Sequence, residues 1–140
     1  MKTSTIKDVE VIDFSKHKEK SGTLIPIEAG KEVPFDITRV FYIFDVPPGE
    51  IRGKHAHKKQ KQLLICLKGK CDVILKDTLE TMEVVLERPD VGVYIPPGVW
   101  DEIVYHEKDT VLIVLTDGCY DPDDYVNTWN EFLALKRESL

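Results

Sequence analysis

Short apolar runs separated by turn residues recur along the chain: "VEVIDF" (9–14), "TLIPIE" (23–28), "RVFYIFDV" (39–46), "QLLICLKG" (62–69), "CDVILKD" (71–77), "TMEVVLE" (81–87), "VGVYIPP" (91–97) and "TVLIVLTD" (110–117). Many short strands at this spacing predict an all-β sandwich or barrel. Turn chemistry falls between the runs, at Pro47-Pro48-Gly49, Gly69-Lys70, Asp77-Thr78 and Pro96-Pro97-Gly98. Residues 71–76 alternate imperfectly, with Val73 and Leu75 on one face and Asp72, Ile74 and Lys76 on the other. Residues 111–115 are apolar throughout, as expected of a strand buried on both faces.

The period changes near Asp121. "YDPDDYVNTWNEFLALKRESL" offers Asp121 as N-cap, Pro122 at the first helical position, Asp123 and Asp124 in the first turn, and Lys136 and Arg137 near the end. Tyr125, Trp129, Phe132 and Leu133 recur at i, i+4, i+7 and i+8, so one C-terminal amphipathic helix should dock on the β body through these side chains. Repeats, low-complexity tracts and linkers are missing from the sequence, and at 140 residues the expectation is one domain spanning 1–140.

Composition narrows the function classes. A net charge of −6 argues against general nucleic-acid binding. No segment approaches the roughly 20 apolar residues that span a bilayer, and "MKTSTIKDVEVIDF" has no apolar core of signal-peptide length. Cys66, Cys71 and Cys119 are odd in number and lack redox or metal-knuckle spacing. Together these features predict a cytoplasmic protein. The charge is uneven, with 14 Lys/Arg against 9 Asp/Glu in residues 1–70 and 5 against 16 in 71–140. Arg52, Lys54, Lys58, Lys59 and Lys61 form a local cationic run suited to an anionic small molecule, or simply a solvated strand and turn.

"RGKHAHKKQKQLLICLKG" (52–69) sets His55 and His57 within that run. On a strand, residues i and i+2 share a face, so the two imidazoles should stand about 7 Å apart and reach one ligand. Spacing alone leaves a metal site and an acid–base pair both open.

The wider frame resembles the cupin family of small jelly-roll β-barrels. Gly49, five residues, His55-Ala56-His57, four residues, Gln62, six residues and Gly69 match the first cupin motif, with Gln62 where a metallocupin has glutamate. Pro96-Pro97-Gly98-Val99-Trp100-Asp101 aligns with the second, Asp101 replacing its histidine and Asp90 its leading glycine. A metal-dependent cupin would therefore have to use His55, His57 and Asp101, the two-histidine, one-carboxylate set of non-haem iron enzymes. A more extended likeness covers "GTLIPIE" (22–28), "PFDITRVFYIFDV" (34–46), 52–69, "VGVYIPPGVWDEI" (91–103) and "YDPDDY" (120–125). In these segments the chain resembles the WxcM-like sugar 3,4-ketoisomerases.

That resemblance implies a cupin barrel with a C-terminal helix, and an isomerase that moves the keto group of dTDP-4-keto-6-deoxyglucose, or a close relative, from C4 to C3 through an enediol. It implies no cofactor and no metal, and a homodimer in which an N-terminal β segment crosses to the partner. His57 carries over as the principal acid–base residue, His55 as its partner, and Tyr42 as a proton donor or oxyanion stabiliser. Arg39, Arg52 and Lys59 are the candidates for holding the diphosphate, Gln62 for orienting an imidazole or a sugar hydroxyl, and Tyr94 and Trp100 for packing on sugar or base. The resemblance breaks at Ser21 and Asp101; if these two positions line the sugar pocket, the substrate and the C4 configuration of the product stay open. A 3-keto sugar nucleotide is the natural input of an aminotransferase making 3-amino-3,6-dideoxy sugars for lipopolysaccharide or S-layer glycans. A non-catalytic sugar-nucleotide-binding cupin is the third reading.

Overall fold

The computed structural model describes residues 4–138. Among the described residues there are twelve strands: β1 (Glu10–Asp13), β2 (His17–Glu19), β3 (Gly22–Leu24), β4 (Arg39–Ile43), β5 (Ile51–His57), β6 (Gln62–Lys68), β7 (Cys71–Lys76), β8 (Thr81–Leu86), β9 (Val91–Ile95), β10 (Trp100–Tyr105), β11 (Val111–Thr116) and β12 (Tyr125–Val126). One helix, α1 (Trp129–Glu138), follows them. Two five-stranded sheets carry the fold, ordered β1-β9-β6-β11-β4 and β12-β5-β10-β7-β8. All their pairings are antiparallel. The expected barrel is thus two facing sheets that hydrogen bonds do not close into one cylinder.

Side-chain alternation sorts each strand between the layers. Leu64 and Cys66 of β6, Val73 and Leu75 of β7, Val93 and Ile95 of β9 and Ile103 of β10 meet in one buried cluster between the sheets. Each such fully buried aliphatic side chain contributes roughly 1.5–3 kcal/mol. Strand β7 alternates more regularly than its sequence suggests, because Cys71 completes the inward row with Val73 and Leu75. The two faces of β11 are both covered, as expected: Leu112 and Val114 join the central cluster, while Leu115 packs outward with Phe14, Val33, Phe35, Leu63 and Ile65. Val33 and Phe35 of that layer come from the irregular segment following β3, so "TLIPIE" is strand only to Leu24 and then becomes a covering loop whose Ile25 and Ile27 pack on the sheet. Gly92 makes the close approach of Phe14 workable, since a Cβ there would lie 2.8 Å from the ring.

Two local expectations are corrected. Asp121 does act as an N-cap, accepting from the Asp123 N–H, but it caps a single 3-10 turn at Pro122–Asp124. The chain then pairs briefly with β5 as β12, because Tyr125 and Val126 lie against His57 and Ala56. The helix begins only at Trp129, capped by Thr128, whose Oγ1 accepts the Glu131 N–H at 3.2 Å. Tyr125 therefore leaves the predicted helical stripe, and Phe132 docks α1 in a cluster with Ala56, Trp100 and Val126. Ser139 and Leu140, included in the predicted helix, lie outside the described residues. The buried Lys136 of α1 donates to the Gly98 carbonyl at 2.6 Å, and the Gly98 N–H donates to the His57 carbonyl at 2.7 Å. The helix is thereby tied to the end of the histidine strand.

Candidate active site

Strands β4, β5, β6, β10 and β11 line a cavity of about 350 Å³. Phe41, Ile43, Leu64, Ile103 and Val114 form its apolar wall, and His55, His57, Arg52, Gln62 and Asp101 supply its polar groups. Tyr120, Tyr125 and Asn127 close one side. A mostly apolar concavity with a few convergent polar groups is the usual form of a small-molecule site.

The histidines share a face as the strand period requires, with ring centroids 5.2 Å apart at near-perpendicular planes. Their environments differ. His57 is 3% exposed and its Nδ1 lies 2.8 Å from Asp124 Oδ2. A carboxylate only accepts, so Nδ1 carries the proton and Nε2 keeps a lone pair for the cavity. Asp124 is itself held by the Lys59 N–H, which donates to Oδ1 at 2.7 Å, and its main-chain carbonyl accepts from the Lys58 N–H at 2.8 Å. Burial pulls His57 below the ordinary histidine range, and the hydrogen bond and charge of Asp124 partly offset that. His55 lacks such support, and burial together with the nearby His57 lowers it to about 4. Its Nε2 stands 3.8 Å from Oδ2 of Asp101. Burial foremost, with Glu102 beside it, pushes Asp101 up to about 8.

Of the residues singled out in the sequence, His55, His57, Arg52, Gln62 and Asp101 converge on the cavity. Arg39 sits beside it on the same strand face as Phe41, its Nη2 donating to Gln60 Oε1 at 3.1 Å and its guanidinium 5.7 Å from the Tyr120 ring centroid. Tyr42 does not face the cavity: Phe41 and Ile43 point inward, so Tyr42 between them points outward, 65% exposed and stacked on Phe44. The same alternation turns Tyr94 away, since its neighbours Val93 and Ile95 are the inward residues and Tyr94 packs at Phe35. Trp100 is buried under α1 against Trp129 and Phe132, and its indole N–H donates to Glu102. Lys59 serves Asp124 through its main chain, while its side chain is outside the cavity wall. Among the described residues no group of three or more His, Cys, Asp or Glu side chains is arranged to hold a metal ion, so His55, His57 and Asp101 do not form the three-ligand set.

The sequence reading missed Asp124, Tyr120 and Tyr125 as site residues. Asp124 was legible only as a charge in a helix first turn; the 3-10 turn instead aims it at the end of β5.

A family model described as FdtA, WxcM-like, C-terminal matches residues 7–137. A TDP-4-oxo-6-deoxy-alpha-D-glucose-3,4-oxoisomerase of Aneurinibacillus thermoaerophilus is 45% identical over 123 residues, covering 88% of each chain. The structure of QdtA, a sugar 3,4-ketoisomerase from Thermoanaerobacterium thermosaccharolyticum in complex with TDP, superposes with a TM-score of 0.91 at 38% identity, covering 95% of this chain and 97% of that one. A histidine-to-asparagine variant of that enzyme in complex with TDP-4-keto-6-deoxyglucose is equally similar, with a TM-score of 0.91 and 38% identity over 95% of this chain and 96% of that one.

Proposed function

The chain belongs to the FdtA, WxcM-like family, and from that membership we propose that it is a sugar-nucleotide 3,4-ketoisomerase acting on TDP-4-keto-6-deoxyglucose or a close relative. The observation that carries the reading is His57, locked by Asp124 so that an unprotonated Nε2 meets a cavity of sugar size. Moving a ketone from C4 to C3 requires removal of the C3 proton, an enediol, and delivery of a proton to C4. A buried imidazole whose pKa lies below the ordinary range is a free base at neutral pH, which the first step needs. In support, Arg52 in the cavity wall and Arg39 beside it can hold a diphosphate by bidentate contacts, and Gln62 in the wall can hold a sugar hydroxyl. This reading gives no step to Tyr42, Tyr94 or Trp100, which are exposed, packed at Phe35 and packed under α1 respectively. The test is direct. Incubation with TDP-4-keto-6-deoxyglucose in heavy water should yield a 3-keto product carrying deuterium, with activity unaffected by chelators; an unchanged sugar after prolonged incubation refutes the reading. A 3-keto product would then pass to an aminotransferase acting at C3, en route to a 3-amino-3,6-dideoxy sugar of a surface glycan.

The same reading extends to a homodimer built by an N-terminal arm. In support, the β2–β3 hairpin pairs with neither large sheet of its own chain, and all six of its residues are exposed. Edge strand β4 presents Val40 and Tyr42 outward, with Phe44 just beyond it, an apolar edge that a second chain can cover. Light scattering should give twice the 16.0 kDa chain mass; a monomer at micromolar concentration would count against the arm. Among the described residues no helix is long and apolar enough to cross a membrane. Three free cysteines support a cytoplasmic location, which cell fractionation checks.

A further inference from the structure

The turn joining β5 to β6 carries Gln60, a buried amide outside the cavity wall. Its two ends have opposite partners: Nε2 donates to the Cys119 carbonyl at 2.7 Å, and Oε1 accepts from Arg39 Nη2 at 3.1 Å. A carbonyl only accepts and a guanidinium only donates, so of the two amide orientations this one satisfies both partners. The amide is also enclosed, since a Cβ at Gly118 would lie 2.7 Å from Gln60 Cδ and Nε2. The rest of the Arg39 setting is neutral too. Its Nε–H donates to Thr116 Oγ1 at 3.3 Å, and that hydroxyl donates to the Gly118 carbonyl at 2.9 Å. The Phe41 and Tyr120 rings lie within cation–π range, their centroids 5.1 and 5.7 Å from the guanidinium carbon. Among the described residues no carboxylate is within ion-pair distance of Arg39, and the remaining N–H groups of its fork are unspent.

We propose that Gln60 is a positioning residue: it holds the Arg39 guanidinium, and with it the segment carrying Tyr120, so that Arg39 presents its unspent N–H groups to the diphosphate of a sugar nucleotide. This rests on the substrate reading above. A half-buried guanidinium paired with a carboxylate has much of its charge already satisfied, whereas one oriented by neutral acceptors keeps that charge for an anionic ligand. The amide at position 60 is therefore specific. A glutamate there would pair with Arg39 and set its second oxygen against the Cys119 carbonyl, acceptor against acceptor. The bridge also reaches the chain beyond Arg39. Cys119 directly precedes Tyr120, whose ring lines the cavity, so the bond to its carbonyl fixes that segment against the β5–β6 turn. Neighbours in the same turn hold adjacent points: the Lys59 N–H donates to Asp124, and the Lys61 N–H donates to Asp117 Oδ1 at 2.8 Å. One short turn thus steadies both Asp124, the partner of His57, and Arg39. The spacing between the reacting end and the anionic end of a ligand is set by that single piece of backbone.

The test is Gln60→Leu, which keeps the bulk and removes both hydrogen bonds, read by calorimetric titration with TDP. Affinity should fall about tenfold, the usual effect of losing one hydrogen bond to a charged group. In the isomerase assay KM should rise about tenfold while kcat stays within about threefold, because His57 and Asp124 keep their contact. A double-mutant cycle separates positioning from general loosening. In an Arg39→Gln background, itself weakened for TDP, Gln60→Leu should cost no more than about twofold further. Should Gln60→Leu fail to fold, Gly118→Ala makes the same disturbance from outside, since its Cβ displaces the end of a flexible side chain at a position without positive φ. Its TDP affinity should fall by the same factor. Wild-type TDP affinity in either variant, or a full tenfold further loss in the Arg39→Gln background, overturns the proposal and leaves the isomerase reading standing. A wild type that binds TDP and shows this pattern in its variants, yet forms no 3-keto product, upholds the positioning role and refutes the activity alone. A wild type that binds no TDP removes both.

Discussion

Replacing His57 by asparagine is expected to lower turnover about 10⁴-fold, the upper end of what one positioned acid–base group contributes, while leaving TDP affinity within about threefold. The effect is large because the two nitrogens of His57 have separate duties. Nδ1 is committed to Asp124 at 2.8 Å, so under the proposed isomerase reading Nε2 is the atom of His57 left to take a proton from carbon. Asparagine can still donate an amide N–H toward Asp124, which keeps that buried carboxylate partnered and spares the fold the several-kcal/mol penalty of an isolated buried charge, roughly 3–5 kcal/mol. Nothing in asparagine can accept a proton from carbon. The check is solvent exchange: the wild type should place deuterium at the sugar carbons in heavy water and the variant should not, although it still binds TDP. A variant that isomerises at even a tenth of the wild-type rate would show that another group is the base. Because burial sets His57 below the usual histidine range, the wild-type rate should hold as pH falls through about 6.5. It should fail only further into acid, as Nε2 becomes protonated.

The contrast between His55 and His57 bears on what a sequence can reveal. The shared face of the pair follows from strand period alone, and so does the central cluster, since alternating runs name their own inward residues. The same rule, applied to β4 and β9, would have excluded Tyr42 and Tyr94: Phe41 and Ile43, like Val93 and Ile95, take the inward positions. Trp100 against Asp101 is the parallel case on β10, and it reads the other way from intuition, with the carboxyl group inside the cavity and the large ring outside it under α1. What period cannot reveal is which distant segment folds over a strand end. Asp124 lies 67 residues from His57, in a turn whose local signals all read as helix start. Tertiary pairing of Tyr125 with His57 overrode that local preference.

Substituting Asp124 by asparagine should cost about 10³-fold in turnover with KM within about threefold, although the side chain touches no substrate. Asp124 is a positioning residue with two acceptor oxygens and two donors to satisfy, the Lys59 N–H at 2.7 Å on Oδ1 and His57 Nδ1 at 2.8 Å on Oδ2. Asparagine has only one oxygen. If that oxygen keeps the Lys59 N–H, the amide NH₂ faces Nδ1, which must then become the acceptor, and the His57 proton moves to Nε2, where the base is needed. If the oxygen instead keeps Nδ1–H, the NH₂ is driven against the Lys59 N–H in a buried site, donor against donor. The first arrangement removes the catalytic tautomer; the second strains the turn that holds β12. Losing the carboxylate also removes the influences that raise His57, so its pKa moves further down and any remaining activity persists to lower pH than in the wild type. Nitrogen NMR of the labelled imidazole separates this from a merely structural role. It should report protonated Nδ1 in the wild type and protonated Nε2 in the variant, with TDP binding preserved in both. Wild-type turnover in Asp124→Asn, or an unchanged tautomer accompanying the loss, would show that Asp124 does not set the state of the base.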